Sequence, residues 1–140
     1  AMVLDLFAGS GQLGIEALSR GARCCIFVDQ SVQSQQVIKQ NLTTTQLGSK
    51  ARVAAMDAKA FIRSTGETFD IALLDPPYDS GILPEVLPLV AEKMNGGGAI
   101  LCETRLYEEL PEEVGQFYLK KKYRYGKIAL TLYRKREAEE

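Results

Sequence analysis

Apolar residues fall in short runs separated by glycine-rich or polar stretches, and the runs alternate between strand-like and helix-like patterns. Met2 to Phe7 is an apolar run stopped by Ala8-Gly9-Ser10-Gly11, which predicts a buried strand entering a tight turn. Leu13, Ile15, Ala17 and Leu18 then predict a helix that ends at Arg20 with Gly21 as its stop. Cys24 to Val28 forms a second strand, and Ser31 is placed to cap a helix running to about Leu42, with Val32, Ile38 and Leu42 available for burial. Val53 to Met56 is the expected third strand, Ala58 to Ser64 a short helix and Ile71 to Leu74 a fourth strand. Leu83 to Met94 predicts a helix with Pro84 in its first turn; Gly96 to Gly98 are expected to close it before a fifth strand, Ala99 to Cys102.

Strand and helix alternate up to that point, which argues for a parallel sheet with helices on both faces. The ending departs from this. Phe117 to Tyr125 and Lys127 to Arg134 are two extended, aromatic-rich runs hinged at Gly126, the pattern of an antiparallel hairpin closing one edge of the sheet.

A chain of 140 residues, 46% hydrophobic and 25% charged, is sized for a single domain with its own core, and its mean hydropathy of -0.10 is that of a globular protein. No apolar run approaches a membrane span and the N-terminus carries no secretory pattern, so the cytoplasm is the expected compartment. The absence of histidine excludes Ser-His-Asp hydrolases, His-ligated zinc and His general bases. Cys24, Cys25 and Cys102 show no C-x-x-C spacing and are expected as reduced, buried strand cysteines. The net charge of -1 hides an asymmetry: Phe117 to Arg136 holds eight Lys/Arg and no acid, whereas the first 116 residues carry -6. A basic edge of this kind suits nucleic acid, and it equally suits a solvated, Lys-rich edge strand.

Gly9-Ser10-Gly11-Gln12-Leu13-Gly14 satisfies G-x-G-x-x-G between a strand and a helix. Glycines let the chain turn and let a ligand approach the backbone, and the helix N-terminus offers unpaired N–H groups. Asp29, 20 residues past Gly9, ends the second strand, where a carboxylate can accept both hydroxyl protons of an adenosine ribose. NAD and S-adenosylmethionine both contain adenosine. Asp5, beneath the loop, favours the second, because a carboxylate repels a pyrophosphate and attracts a cationic amino-acid end and sulfonium. Asp57, after the third strand, can accept from the adenine amine with Ala58 supplying backbone contacts; the alternative is an N-cap for the next helix.

Leu74-Asp75-Pro76-Pro77-Tyr78 carries the most specific chemistry. Two successive prolines lack N–H groups, so the carbonyls around them are free acceptors on a stiff backbone at the carboxyl end of a strand. An exocyclic base amine has its lone pair delocalised into the ring. Asp75 and the Pro76 carbonyl can accept its two N–H bonds and aim the nitrogen at a methyl donor, with Tyr78 stacking on the flipped base.

The segments Asp5-Leu6-Phe7-Ala8-Gly9-Ser10-Gly11, Asp75-Pro76-Pro77-Tyr78 and Cys102-Glu103-Thr104, in that order, resemble the RsmD-like family of bacterial methyltransferases, which methylate guanine N2 in 16S ribosomal RNA. The likeness extends through Leu110-Pro111 to the hairpin around Tyr125-Gly126. It implies a class I S-adenosylmethionine-dependent methyltransferase fold, Rossmann-like, with strand order 3-2-1-4-5-7-6. It implies a cofactor site at Asp5, Phe7, Ala8, Gly9, Ser10, Gly11, Asp29, Gln30, Asp57 and Ala58, and a catalytic site at Asp75, Pro76, Pro77 and Tyr78. The implied partner is 16S ribosomal RNA or an assembling 30S subunit. Family members carry a basic N-terminal arm before the first strand, so the chain is expected to be a catalytic domain lacking that arm, consistent with its pI of 5.6. Methylation of adenine N6, a NAD-dependent oxidoreductase and a catalytically silent binding module stay open as alternatives on the residues alone.

Overall fold

The computed structural model describes residues 1–136; the three closing glutamates lie outside the described residues. The elements run β1 (Met2–Leu6), α1 (Gln12–Ser19), β2 (Cys24–Val28), α2 (Val32–Thr45), β3 (Ala51–Ala54), α3 (Ala58–Ser64), β4 (Phe69–Leu74), α4 (Leu83–Ala91), β5 (Met94–Arg105), β6 (Glu113–Val114), β7 (Phe117–Tyr125) and β8 (Ile128–Lys135). They build one sheet in the order β3-β2-β1-β4-β5-β8-β7-β6. Neighbours from β3 to β5 pair in parallel, and β5-β8, β8-β7 and β7-β6 pair antiparallel. The order matches the expected one with β6 added at the edge, so that the expected sixth and seventh strands are β7 and β8. From β1 the chain winds outward to β3 and then returns to the other side of β1 with β4. That reversal opens a crevice at the carboxyl ends of β1 and β4.

Side-chain alternation along β1 sorts the core into two layers. Leu4 and Leu6 join Phe61 and Ile62 of α3 and Val86, Leu87 and Val90 of α4 on one face. Val3 joins Leu18 of α1, Phe27, and Ile38 and Leu42 of α2 on the other. All three cysteines are free, with Cys25 and Cys102 buried as expected; Cys24, at the start of β2, is only partly buried.

Several boundaries shift for identifiable reasons. β3 lies two residues earlier than expected because Ala51 to Ala54 are the residues in register with β2, and Met56, apolar but 36% exposed, belongs to the crevice wall. α2 runs on to Thr45, and the Thr43, Thr44 and Thr45 hydroxyls donate to the carbonyls four residues back. The helix expected to reach Met94 stops at Ala91, because Met94 already pairs with Phe69 as the start of β5. Gly96 to Gly98 therefore do not cap a helix. They form a bulge inside β5, where Gly97 takes φ +75° and Asn95 donates to Asp70 at 3.0 Å.

Gly14 sets how closely α1 approaches the sheet. A Cβ there would come within 2.4 Å of the Phe27 ring and 2.8 Å of Cys25 Sγ, both parts of the fixed core. Gly14→Ala is expected to lower unfolding free energy by about 1–3 kcal/mol through overpacking, read as a shifted urea midpoint with an unchanged slope; a midpoint equal to the parent's refutes that close packing.

Candidate active site

The crevice is a cavity of about 590 Å³, within the range of small-molecule sites. Its wall is drawn from five consecutive strand ends: Phe7 and Gly9 after β1, Asp29 and Gln30 after β2, Met56, Asp57 and Ala58 after β3, Asp75 to Tyr78 after β4, and Glu103 in β5. A smaller hollow of about 220 Å³ shares Pro76, Pro77 and Glu103 with it.

Two carboxylates hold the glycine loop. Gly14 N–H donates to Asp5 Oδ2 at 3.0 Å from the start of α1, and Gly9 N–H donates to Asp29 Oδ2 at 2.9 Å. Asp29 Oδ1 accepts from Ser31 N–H at 2.9 Å, so each of its oxygens is oriented by one backbone donor and keeps a lone pair for the cavity. Ala8, Ser10 and Gly11 are not part of the cavity wall. They shape the loop: Ala8 N–H donates to the Val28 carbonyl at 2.9 Å, Gly11 N–H to the Ala8 carbonyl at 2.8 Å, and Asn41 to the Ser10 carbonyl at 3.0 Å. Phe7 sits at φ 69°, a left-handed conformation that non-glycine residues seldom adopt and that the loop's bonds sustain. A Cβ on Gly9 would meet no protein atom within 4 Å and would take up cavity space.

Asp5 was expected to face ligand. The structure places it behind the loop, 1% exposed, with its carboxyl pushed up to about 7 by burial, opposed by the Gly14 bond and reinforced by the charges of Asp75 and Asp29. Its immediate role is to fix α1, and its electrostatic influence on a ligand passes through the loop. Asp57 does cap α3, accepting from Ala60 N–H at 3.2 Å through Oδ2, and it also lines the cavity, so the two roles considered for it are compatible.

On the opposite wall Asp75 is half-buried, and its carboxyl is pushed up to about 7 by burial, by a hydrogen bond to the Glu103 carboxyl and by that group's charge. The Tyr78 hydroxyl donates to Glu103 Oε2 at 3.2 Å, and the Arg105 guanidinium lies 4.3 Å over its ring. Arg105 thus covers one face of the aromatic ring expected to stack on a base. The turn is locked from the β5 side: Glu108 accepts from Asp79 N–H at 3.2 Å and from Arg105 N–H at 2.7 Å, and Tyr107 donates to Asp79 Oδ1 at 2.5 Å. Asp79, like Phe7, is left-handed, at φ 60°. Sequence reasoning left out Glu103 and Arg105 as site residues. The available signal was their position at the carboxyl end of the strand following the Asp75 motif.

The hairpin strands lie at the sheet edge as expected, and their turn sits beside the carboxyl end of β5. Arg105 pairs with Ile128, and Leu106 N–H donates to the Lys127 carbonyl at 3.1 Å. This brings Lys127 and the exposed Tyr125 to the same end of the sheet as Asp75.

A glycine loop braced by Asp29 and an Asp-Pro-Pro-Tyr turn share one crevice at the switch point of a sheet with an antiparallel closing strand. That combination defines a class I methyltransferase domain. A solved structure of yhhF from Escherichia coli, provisionally called a methyltransferase, superposes with a TM-score of 0.86 at 32% identity over 96% of this chain and 75% of that one. The family model described as Conserved hypothetical protein 95 matches residues 1–134, and the chain belongs to that family, the RsmD-like group. Relatives include YlbH of Bacillus subtilis, provisionally named an rRNA methyltransferase, 43% identical over 95% of this chain and 75% of its own length. The Ribosomal RNA small subunit methyltransferase D of Escherichia coli is 38% identical over 99% of this chain and 70% of its own length.

Asp5→Asn keeps an acceptor for Gly14 N–H and removes the ionisation. Folded Asp5 titrates near 7 against an ordinary 3.8, so the folded state binds the proton more tightly, and the parent loses stability as pH rises from about 4 to 7. The variant lacks that loss. Its Tm relative to the parent is expected to rise between pH 5 and pH 8, on top of any constant offset from the amide; a pH-independent difference contradicts the assignment.

Proposed function

We propose that this chain is the catalytic domain of an S-adenosylmethionine-dependent ribosomal RNA methyltransferase acting on the exocyclic N2 amine of a guanine in 16S ribosomal RNA. The observation that carries the reading is the meeting of Asp29, Asp57 and the Asp75-Pro76-Pro77-Tyr78 turn on one cavity. S-adenosylmethionine fits the donor set. Asp29 offers two oriented lone pairs to a ribose diol, Asp57 and Ala58 flank the place of an adenine, and the space over Gly9 admits the chain of the amino acid. When bound, the cofactor supplies an electrophilic methyl group.

The protein's own contribution is positioning. Asp75 and the Pro76 carbonyl accept the two N–H bonds of the amine, which holds the nitrogen toward the cofactor and offsets its delocalisation into the ring. The attacking nitrogen gains a bond and a positive charge and then releases a proton to water, being strongly acidic once methylated. Ionised Asp75 is the stronger acceptor and carries no competing O–H, so transfer is expected to rise with pH through about 7. The relatives' further length is where this reading places an upstream docking arm, with Lys127 and Tyr125 contributing from the same end of the sheet. Affinity for RNA then comes from Lys/Arg contacts to phosphate. An assembling 30S subunit and a cytoplasmic location follow from that substrate.

The test is transfer of labelled methyl from S-adenosylmethionine to 16S RNA or 30S particles, with the modified nucleoside identified. Asp29→Ala should weaken S-adenosylhomocysteine binding by about 1–3 kcal/mol in calorimetry; unchanged affinity removes the ribose assignment. Asp75→Ala should cut turnover by about 100-fold or more with little change in cofactor affinity, and near-normal turnover contradicts its role.

A further inference from the structure

Guanine and adenine both present an exocyclic amine, and they differ in the ring nitrogen beside it on the Watson–Crick edge. Guanine places N1–H next to its N2 amine, a continuous row of donors. Adenine places an N1 lone pair next to its N6 amine. The wall around Asp75 matches the first arrangement. Leu74 of β4 pairs in parallel with Cys102 of β5, so Asp75 and Glu103 follow as neighbours across the sheet, and both line the cavity. Adjacent strands are about 4.8 Å apart, close enough for two carboxylates to span neighbouring groups on one base edge. Pro76 adds a carbonyl and no N–H. The nearby Tyr78 hydroxyl is committed to Glu103 Oε2 at 3.2 Å, and Arg105 over the Tyr78 ring keeps that phenol in place. Asp75 and Glu103 hydrogen-bond each other while Asp75 holds its proton; once it is released, the two carboxylates and the Pro76 carbonyl are the acceptors this wall offers.

We propose that Glu103 is the residue that selects the base: it accepts N1–H of guanine while Asp75 and the Pro76 carbonyl hold the adjacent amine, and it opposes adenine by facing its N1 lone pair. This inference rests on the methyltransferase reading above and adds a specificity-determining residue to it. Two neighbouring carboxylates repel each other when both are ionised, and a row of N–H donors relieves that repulsion where a lone pair adds to it.

The experiment compares RNA carrying guanine with RNA carrying 2-aminopurine at the acceptor position, using the full chain and its Glu103→Gln variant. 2-Aminopurine keeps the exocyclic amine and lacks N1–H. The parent is expected to methylate it roughly 10- to 100-fold less efficiently in kcat/KM. Glutamine keeps an oxygen for the Tyr78 hydroxyl and can turn an N–H toward the unprotonated ring nitrogen, so the gap between the two RNAs should close to within a few-fold, with S-adenosylhomocysteine affinity unchanged. The missing O6 affects both proteins alike, so the change in ratio reports on N1.

A variant that slows on both RNAs by the same factor overturns the proposal and leaves Glu103 as a support for Tyr78. Equal rates for the parent on the two RNAs overturn it without recourse to any variant. Recovery of methyladenine in place of methylguanine from the parent's product overturns the guanine reading itself, a failure that nucleoside analysis separates from the other two.

Discussion

Two hydrogen bonds from backbone to carboxylate govern the geometry of the site. Asp5 takes Gly14 N–H and Asp29 takes Gly9 N–H, so both ends of the glycine loop are pinned to the carboxyl ends of adjacent parallel strands. The loop could otherwise sample many conformations, since glycine imposes little restriction on the backbone. Pinned, it sustains Phe7 in a left-handed conformation and fixes the floor of the cavity. The cost falls on Asp5, which is buried and held well above the usual carboxylate range. Removing that charge should stabilise the fold at alkaline pH, which fits a residue retained for what it positions.

The second wall is rigid for a different reason. Prolines at 76 and 77 stiffen the turn, and the segment after β5 clamps it through Glu108, Tyr107 and Arg105. Positioning of an amine is effective only if the acceptors hold still, because misplacement by an ångström is costly to a transfer that depends on alignment. β5 therefore serves as more than a core strand. Its carboxyl end supplies Glu103 to the cavity, Arg105 to Tyr78 and the pairing that sets the β7–β8 turn at the same end of the sheet.

Much of this was legible before any coordinates. The alternation of apolar runs with helical periods defines the parallel sheet, and the aromatic, basic ending defines the hairpin. The loop and the Asp75 motif are contiguous in the chain, so local spacing identifies them. Less legible were Met56, whose apolar side chain was assigned to a strand and instead lines the cavity, and Gly96 to Gly98, whose glycines mark a bulge. Both belong to contexts set by register with a neighbouring strand, which composition does not encode.

By itself, then, the sequence determined the alternation of strands and helices, the closing hairpin and the residue types of both motif loops, because these follow from periodicity and local backbone chemistry; the winding order came from the family resemblance. Only the tertiary structure decided which carboxylate faces the cavity and which lies behind it: Asp5 lies near the end of β1 and Asp29 just after β2, yet one is buried behind the loop and the other lines the cavity. Only it decided that Glu103 joins Asp75 and that Arg105 covers Tyr78. These residues are 25 or more positions apart in the chain, and β4–β5 pairing alone makes them neighbours.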